Sequence, residues 1–259
     1  MKLKPEYVEK PWGRTSLPAI FEPPNGRRIG EIWFTGGPDL PLLAKYIFTS
    51  ERLSIQVHPN DAQARARGRV SGKTECWFIL DAEPEAVIGL GLTGHATADE
   101  LRIAALDGSI EELVDWKPVR AGNFILVPPG TIHAIGAGIG LLEFQQNADL
   151  TYRLFDYGRP RELHLEDGLA VATAAPFDER LIQQVFRGEE RMLVDGPVFK
   201  LASTTGDAFF DEQRWVMPLE GSVRTKDEIA SAGECLVVDP GEGVDSDGAW
   251  VLIGTTAQR

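Results

Sequence analysis

Two polar pairs and one histidine stand out because their types and spacing suit metal or acid–base chemistry. Gln56 and His58 are two positions apart, as are Lys73 and Glu75, and His133 follows a Pro-Pro-Gly turn that leads into a new β-rich run. Successive side chains of a strand point to opposite faces, so the members of each pair project into one space where the chain is extended. The spacing therefore indicates a cavity that receives imidazole, amide, carboxylate and ammonium groups.

The same inward row is predicted to continue along the chain. Glu143 lies two residues before Gln145, and Arg153 follows across the next turn. A single histidine on an apolar strand is usually a satisfied core residue, and each residue alone carries little weight. Together, however, buried charges of this kind cost several kcal/mol per ion unless they are paired or bound to a metal. Metal binding is therefore the simplest interpretation of the set.

The elements that must position these residues are mostly strands. Short β-rich runs broken by Gly, Pro and Asp recur along the chain, among them residues 45–54, 75–80, 123–127 and 141–145. Runs of this length and composition, bounded by turn residues, are typical of strands. The sequence predicts an all-β fold.

Two helices are predicted within residues 96–116. Thr97 and Ser109 each precede a Glu by three positions, which is the spacing of a capping box at a helix N-terminus. The second helix is expected to continue through Val114 and Trp116. We expect the pair to form a small insertion packed beside a β-barrel.

An internal repeat predicts a second, related unit. Residues 121–130 and 232–241, whose starts are 111 positions apart, both have the pattern of a turn, a buried strand and a Pro-Gly turn. In this register Val244 takes the place of His133, and no histidine follows His164. The C-terminal part is therefore expected to be structural, a degenerate copy of the first barrel.

Length, charge and composition limit the possible functions. A chain of 259 residues can bury two modest cores, which we place at 1–170 for the metal-binding domain and 171–259 for the smaller β domain. The net charge of −13 disfavours nucleic acid and anionic membranes as partners. Without an apolar leader or spanning stretch, the sequence predicts a cytoplasmic protein. Cys76 and Cys235 each lie in an apolar run and are predicted to be reduced core residues.

Longer motifs resemble one family, the type I mannose-6-phosphate isomerases in their short bacterial form. The resemblance covers roughly the first two thirds of the chain, in the order that the family requires. The motifs that carry it are LSIQVHPND at 53–61, GKTECW at 72–77, VPPGTIHA at 127–134 and LEFQQNADLTYR at 142–153. The resemblance implies a cupin-type double-stranded β-barrel (jelly roll) with a small helical insertion and a second, smaller degenerate β domain.

The resemblance also implies roles for individual residues. It implies a zinc site and an enzyme that interconverts mannose 6-phosphate and fructose 6-phosphate, a small phosphorylated sugar. Arg153 corresponds to the catalytic arginine of the family, and Lys73 and Glu143 correspond to other active-site positions. The implied zinc ligands are Gln56, His58, Glu75 and His133.

Several alternatives stay open at this point. Glu143 or Lys73 can serve as the general base, provided that burial and neighbouring charges tune its pKa. The run that contains Arg65, Arg67 and Arg69 can reach a phosphate, although such runs are more often a solvated face. Two other functions remain: a non-haem iron oxygenase, because two histidines and a carboxylate also suit Fe(II), and a non-catalytic sugar-binding cupin.

Overall fold

The computed structural model describes residues 1–21, 26–36, 40–206 and 210–257, and strands dominate this part of the chain. The strands are β1 (Lys4–Arg14), β2 (Ile29–Thr35), β3 (Leu42–Phe48), β4 (Ile55–Val57), β5 (Glu75–Ala82), β6 (Val87–Leu92), β7 (Val114–Pro118), β8 (Asn123–Val127), β9 (His133–Ile135), β10 (Ile139–Gln146), β11 (Tyr152–Phe155), β12 (Ile182–Gln184), β13 (Arg191–Asp195), β14 (Phe199–Thr204), β15 (Arg214–Glu220), β16 (Ser222–Arg224), β17 (Ile229–Ser231), β18 (Leu236–Val238) and β19 (Trp250–Thr256). The helices are α1 (Asp61–Arg65), α2 (Ala98–Asp107), α3 (Ile110–Leu113) and α4 (Leu165–Val171), and Glu179–Leu181 forms a 3-10 turn. None of these helices is long and apolar enough to cross a membrane.

Two antiparallel sheets form a barrel around the first hydrophobic core. One sheet has seven strands in the order β1-β2-β3-β10-β5-β8-β12, and the other has five in the order β11-β4-β9-β6-β7. Ile47, Trp77 and Leu141 of the first sheet pack with Ile88 and Ile135 of the second in one buried cluster. Because apolar residues from both inner faces meet there, the sheets lie face to face. The predicted all-β jelly-roll fold is confirmed.

A third sheet covers the outer face of the seven-stranded sheet. Its order is β13-β14-β19-β15-β18, and a small hairpin of β16 and β17 accompanies it. Tyr46 and Phe144 on the outer face share one buried cluster with Phe199 and Trp215 of the third sheet. The order β14-β19-β15-β18 repeats the order β3-β10-β5-β8, which supports the predicted relation between the units. The division at residue 171 stays a prediction, and β12 still belongs to the first unit's sheet because it pairs with β8.

Helices lie on the outer face of the five-stranded sheet, as expected for the predicted insertion. Leu101 of α2 and Ile110 of α3 are buried in the same cluster as Ile55 of β4. Thr97 makes the predicted capping box with Glu100, since each side chain bonds to the other's backbone N–H. A helix N-terminus satisfied in this way begins at a defined residue.

The second predicted capping box is wrong. Ser109 makes no side-chain cap bond to α3, and instead its backbone N–H and its hydroxyl both donate to Asp107. The short side chain of Asp107 competes for this hydroxyl and takes it away from the helix. The helix also ends earlier than predicted, at Leu113, because Val114 and Trp116 pair with β6 as part of strand β7.

Candidate metal centre and active site

His58, Glu75 and His133 meet between the two sheets of the first barrel. His58 directly follows β4, while Glu75 and His133 are the first residues of β5 and β9. Their ligand atoms all lie within 4.8 Å of one another, and the three side chains are buried. The cluster thus combines two imidazoles and one carboxylate, which is a usual donor set for zinc.

Backbone carbonyls determine which imidazole nitrogens can bind an ion. His58 Nδ1 lies 2.8 Å from the carbonyl oxygen of Leu150, and His133 Nδ1 lies 2.9 Å from that of Thr131. A carbonyl only accepts, so each Nδ1 carries the hydrogen and each Nε2 keeps a lone pair. Hydrogen bonds of this kind orient the ring of a metal-binding histidine.

The two lone pairs point towards a carboxylate. His58 Nε2 lies 3.4 Å from Glu75 Oε2, and His133 Nε2 lies 3.2 Å from Glu75 Oε1. Burial, and then the charge of Lys73, lower the pKa of His58 to about 3, so this ring is neutral. Neutral nitrogens that face a carboxylate repel it unless a cation lies between them. The donor set therefore fits a divalent ion.

Lys73 supplies part of this positive charge but not all of it. Its Nζ lies 3.1 Å from His58 Nε2 and 2.8 Å from Glu75 Oε2, although the latter contact lacks hydrogen-bond geometry. His133 Nε2 is buried without a hydrogen-bond partner among the described residues. Burial opposes ionisation of Glu75, but the charge of Lys73 outweighs it and keeps the pKa of Glu75 well below its usual range. Lys73 lies two residues before β5, so it is not part of that strand, but its side chain still reaches Glu75.

Gln56 lies next to this cluster on the five-stranded sheet. It is paired with His133 across β4 and β9, and with Arg153 across β4 and β11. Its Oε1 accepts only a long bond of 3.4 Å from Ser54. Gln56 also lines the inner cavity, a cavity between the sheets bordered by Lys73, Glu143 and Arg153 as well. Its role as a ligand stays a prediction.

Glu143 is the second buried carboxylate of the inner cavity. Its Oε1 lies 3.0 Å from Lys45 Nζ and 3.8 Å from Lys73 Nζ, and its Oε2 accepts a hydrogen bond from the indole N–H of Trp77 at 3.1 Å. Burial and the charge of Glu75 raise the pKa of Glu143, against the opposing effect of the two lysines. A buried carboxylate with a raised pKa beside a cavity is a candidate acid–base group.

The sequence analysis missed Lys45 and Glu31, which extend this charged row. Lys45 lies inside the apolar run of β3, opposite Glu143 on β10 and opposite Trp33 on β2. Its alternation with Leu43 and Ile47, which also line the inner cavity, is the signal that predicts an inward side chain. Burial opposes the charged form of Lys45, but Glu143 and then Glu31 prevail and raise its pKa above the usual value.

Trp33 adds a polar contact and an aromatic face to this charged row. Its indole N–H donates to Glu31 at 2.6 Å, and its ring lies 5.6 Å from Lys45 Nζ. Lys10 completes the row with an ion pair of 3.4 Å to Glu31. The cavity wall therefore carries charges of alternating sign, which offset one another's desolvation.

Arg153 stands at the edge of the inner cavity. Its Nε is buried without a hydrogen-bond partner among the described residues, and its NH1 reaches the carbonyl oxygen of Glu162 only at 3.5 Å. Burial, and then the nearby charge of Arg161, lower its pKa. His164 holds the backbone of Arg153 through its Nδ1, which accepts from the Arg153 N–H, and through its own N–H, which donates to the Arg153 carbonyl. The backbone of Arg153 is thus held in place, while its guanidinium keeps a donor that no described residue accepts.

Comparison with known proteins points to one enzyme family. No protein-family model matches the chain. It is 36% identical over 221 residues to a mannose-6-phosphate isomerase of Bacillus subtilis, covering 68% of this chain and 69% of that protein. It is 43% identical over 141 residues to the mannose-6-phosphate isomerase of Streptococcus mutans, covering 51% and 44%.

Solved structures agree with the sequence comparison. The crystal structure of the mannose 6-phosphate isomerase from Bacillus subtilis matches with a TM-score of 0.78 and 25% identity, over 98% of each chain. A zinc-bound mannose 6-phosphate isomerase has the same fold at a TM-score of 0.66 and 14% identity, over 99% of each chain. The structural match extends through the C-terminal unit, beyond the first two thirds of the chain that carry the sequence motifs.

Proposed function

This chain belongs to the mannose-6-phosphate isomerase family, and we propose that it interconverts mannose 6-phosphate and fructose 6-phosphate at the inner cavity. The observation that carries the proposal is the buried His58–Glu75–His133 cluster, whose two Nε2 lone pairs face the Glu75 carboxylate. Lys73 lies between this carboxylate and the ion pair of Glu143 and Lys45. Zinc, which would be held by these three residues together with Gln56, supplies a Lewis acid that stabilises negative charge on substrate oxygen.

The reaction needs a base that moves one proton between adjacent carbons. In the aldose-to-ketose direction a proton leaves C2, an enediol forms, and a proton returns to C1, while a proton moves from the C2 oxygen to the C1 oxygen. No net proton is gained or lost. The base must therefore accept a proton from carbon and then release it on the same side of the sugar chain.

Glu143 is our choice for this base. Its raised pKa means that the carboxylate binds a proton more readily than an exposed glutamate, while Lys45 at 3.0 Å supports the ionised form that starts the cycle. Lys73 lies beside Glu75 and Glu143 as their counter-ion, and an ammonium has no lone pair with which to accept a proton. Lys73 then contributes positive charge near the substrate oxygens.

Arg153 is proposed to stabilise the charge that develops on oxygen during proton transfer. A guanidinium stays charged and presents a rigid set of donors, so it serves without reorganising as the reaction proceeds. The unbonded Nε of Arg153 leaves donor capacity for this purpose. The oxygenase alternative is not supported, since the relatives are isomerases and the cavity wall is a row of paired charges.

The proposal is tested by measuring fructose 6-phosphate formed from mannose 6-phosphate with a coupled assay. Protein stripped with a chelator should be inactive, and added zinc should restore turnover. Circular dichroism of the stripped protein shows whether the fold persists, so loss of activity is separated from unfolding. Fully zinc-loaded, folded protein without isomerase activity would refute the proposed reaction.

A further inference from the structure

The arginine run after α1 divides into two parts in the structure. Arg65 pairs with Asp61 within α1 at 3.6 Å and borders neither cavity of the active-site region. Arg67 and Arg69 instead line the outer groove, a surface groove whose wall also includes Tyr152, Arg153 and His164. The solvated-face interpretation therefore applies to Arg65, and the other two require a separate explanation.

The outer groove adjoins the inner cavity. Asp149, Thr151 and Arg153 line both of them, so this short segment before and at the start of β11 separates the two spaces. A sugar phosphate that extended across this segment would have its inner end in the cavity lined by Glu143 and its outer end in the groove lined by Arg67 and Arg69.

Positive charge in the outer groove is only partly neutralised. Arg67 is fixed by an ion pair of 2.7 Å with Asp167 and lies over the ring of Tyr152 at 5.9 Å. Arg69 is exposed, and its side chain makes no ion pair or hydrogen bond with any residue that the structure describes. With Arg153, three guanidiniums face the carboxylates of Asp149 and Asp167. This surplus is local, because the whole chain carries a net charge of −13.

We propose that the outer groove binds the phosphate of the sugar substrate, with Arg69 as the contacting residue and Arg67 as its support. This inference rests on the proposed function. C1 and C2 of the substrate must lie against Glu143, and the phosphate is carried by C6 at the other end of the sugar. Inside the cavity the buried carboxylates of Glu31 and Glu143 repel a dianion, and the three lysines there are already paired with carboxylates: Lys10 with Glu31, Lys45 with Glu143 and Lys73 with Glu75. In the outer groove three guanidiniums outnumber two carboxylates, and Arg69 is free to bind the phosphate oxygens.

The test compares Arg69→Ala with a matched control, Arg65→Ala, which removes the same side chain from the same run outside the groove. KM for mannose 6-phosphate should rise about fivefold in Arg69→Ala, the effect of one exposed charge pair, with kcat within about twofold of wild type. Arg69→Glu should raise KM further. Arg65→Ala should leave both constants unchanged. The rise in KM should also shrink at high ionic strength, since exposed charges are screened.

Inorganic phosphate provides an independent probe of the same groove. It should inhibit wild type competitively, and its Ki should rise in Arg69→Ala but not in Arg65→Ala. Equal Ki values in all three proteins would place the phosphate elsewhere and overturn the inference, as would equal KM values for Arg69→Ala, Arg69→Glu and wild type. A wild type that does not isomerise mannose 6-phosphate refutes the proposed function instead. Calorimetric binding of inorganic phosphate to the wild type and to Arg69→Ala then still tests the groove.

Discussion

Replacing Lys45 with methionine tests whether the charged row is a coupled unit. Lys45 Nζ lies 3.0 Å from Glu143 Oε1, and both side chains are nearly inaccessible to solvent, at 8% and 3% exposure. Methionine keeps the length and apolar contacts of the lysine stem but leaves the Glu143 carboxylate without its nearest cation. Removing one partner of a buried ion pair costs about 3 to 5 kcal/mol, because the other charge stays buried.

The free-energy loss converts into a measurable change in melting temperature. For a chain of this size each kcal/mol shifts Tm by about 2 to 4 °C, so Lys45→Met should melt roughly 6 to 20 °C below wild type. Lys10→Met is the matched control, since Lys10 pairs with the same acid row through Glu31 at 3.4 Å but is 29% exposed. An exposed pair contributes at most about 1 kcal/mol, so this variant should melt within a few degrees of wild type.

A second substitution distinguishes two causes of destabilisation in Lys45→Met, the loss of packing and the uncompensated charge of Glu143. Lys45→Met combined with Glu143→Gln removes both charges and should recover most of the lost stability, because the amide still accepts the hydrogen bond from Trp77. In Lys45→Met alone the pKa of Glu143 should rise further, which moves the acid limb of the pH–rate profile to higher pH. Thermal unfolding followed by circular dichroism measures the loss of stability and its recovery. A Lys45→Met protein as stable as Lys10→Met, or no recovery in the double variant, would refute the coupling.

Three further expectations follow from the same structure. His133→Ala should lose bound zinc and activity together, whereas Arg153→Ala should keep the metal and lose turnover. Metal analysis beside the coupled assay checks both variants. An active, metal-free His133→Ala protein would contradict the ligand role. Burial opposes ionisation of Glu31, but the charges of Lys45 and Lys10 outweigh it and hold the pKa of Glu31 below the ordinary 4.5. The ionised Glu31 therefore contributes to stability above pH 4.5, and this contribution is lost as the pH falls through the lowered pKa of the folded protein. Urea unfolding should therefore show that the free energy of unfolding falls less between about pH 6 and about pH 3.5 in Glu31→Gln than in wild type. Thr97→Ala should cost about 1 kcal/mol by removing a real cap, while Ser109→Ala, which removes no cap, should cost less than about 0.5 kcal/mol in the same unfolding assay.

Local patterns were enough to predict the fold class and to bring the candidate ligands to one place. The spacing of Gln56 and His58 depends only on the alternation of a strand, and the turn before His133 depends only on its Pro-Pro-Gly sequence. Such features act within a few residues and are visible in one sequence. The metal roles themselves remain predictions, because proximity of donors is a condition for binding and not a measurement of it.

Long-range register explains what the sequence could not provide. Lys45 meets Glu143 only because β3 and β10 pair with each other, although the two residues are separated by most of the first unit. Nothing within β3 marks Lys45 as the partner of one particular acid, since its neighbours are apolar. The missed partners are therefore those whose contacts depend on pairing between distant strands, and the same holds for Glu31 across β2 and β3.

Strand β10 connects the active site to the C-terminal unit. Glu143 and Gln145 point into the inner cavity, while Phe144 between them packs outward against Trp215, with ring centroids 6.2 Å apart. A methyl group at Gly254 would collide with the Phe144 ring, so the third sheet approaches as closely as the backbone allows. A sheet that braces β10 needs only a complementary apolar face, and it can lack every ligating residue without losing that role. The degenerate unit thus packs directly against the strand that carries the proposed base.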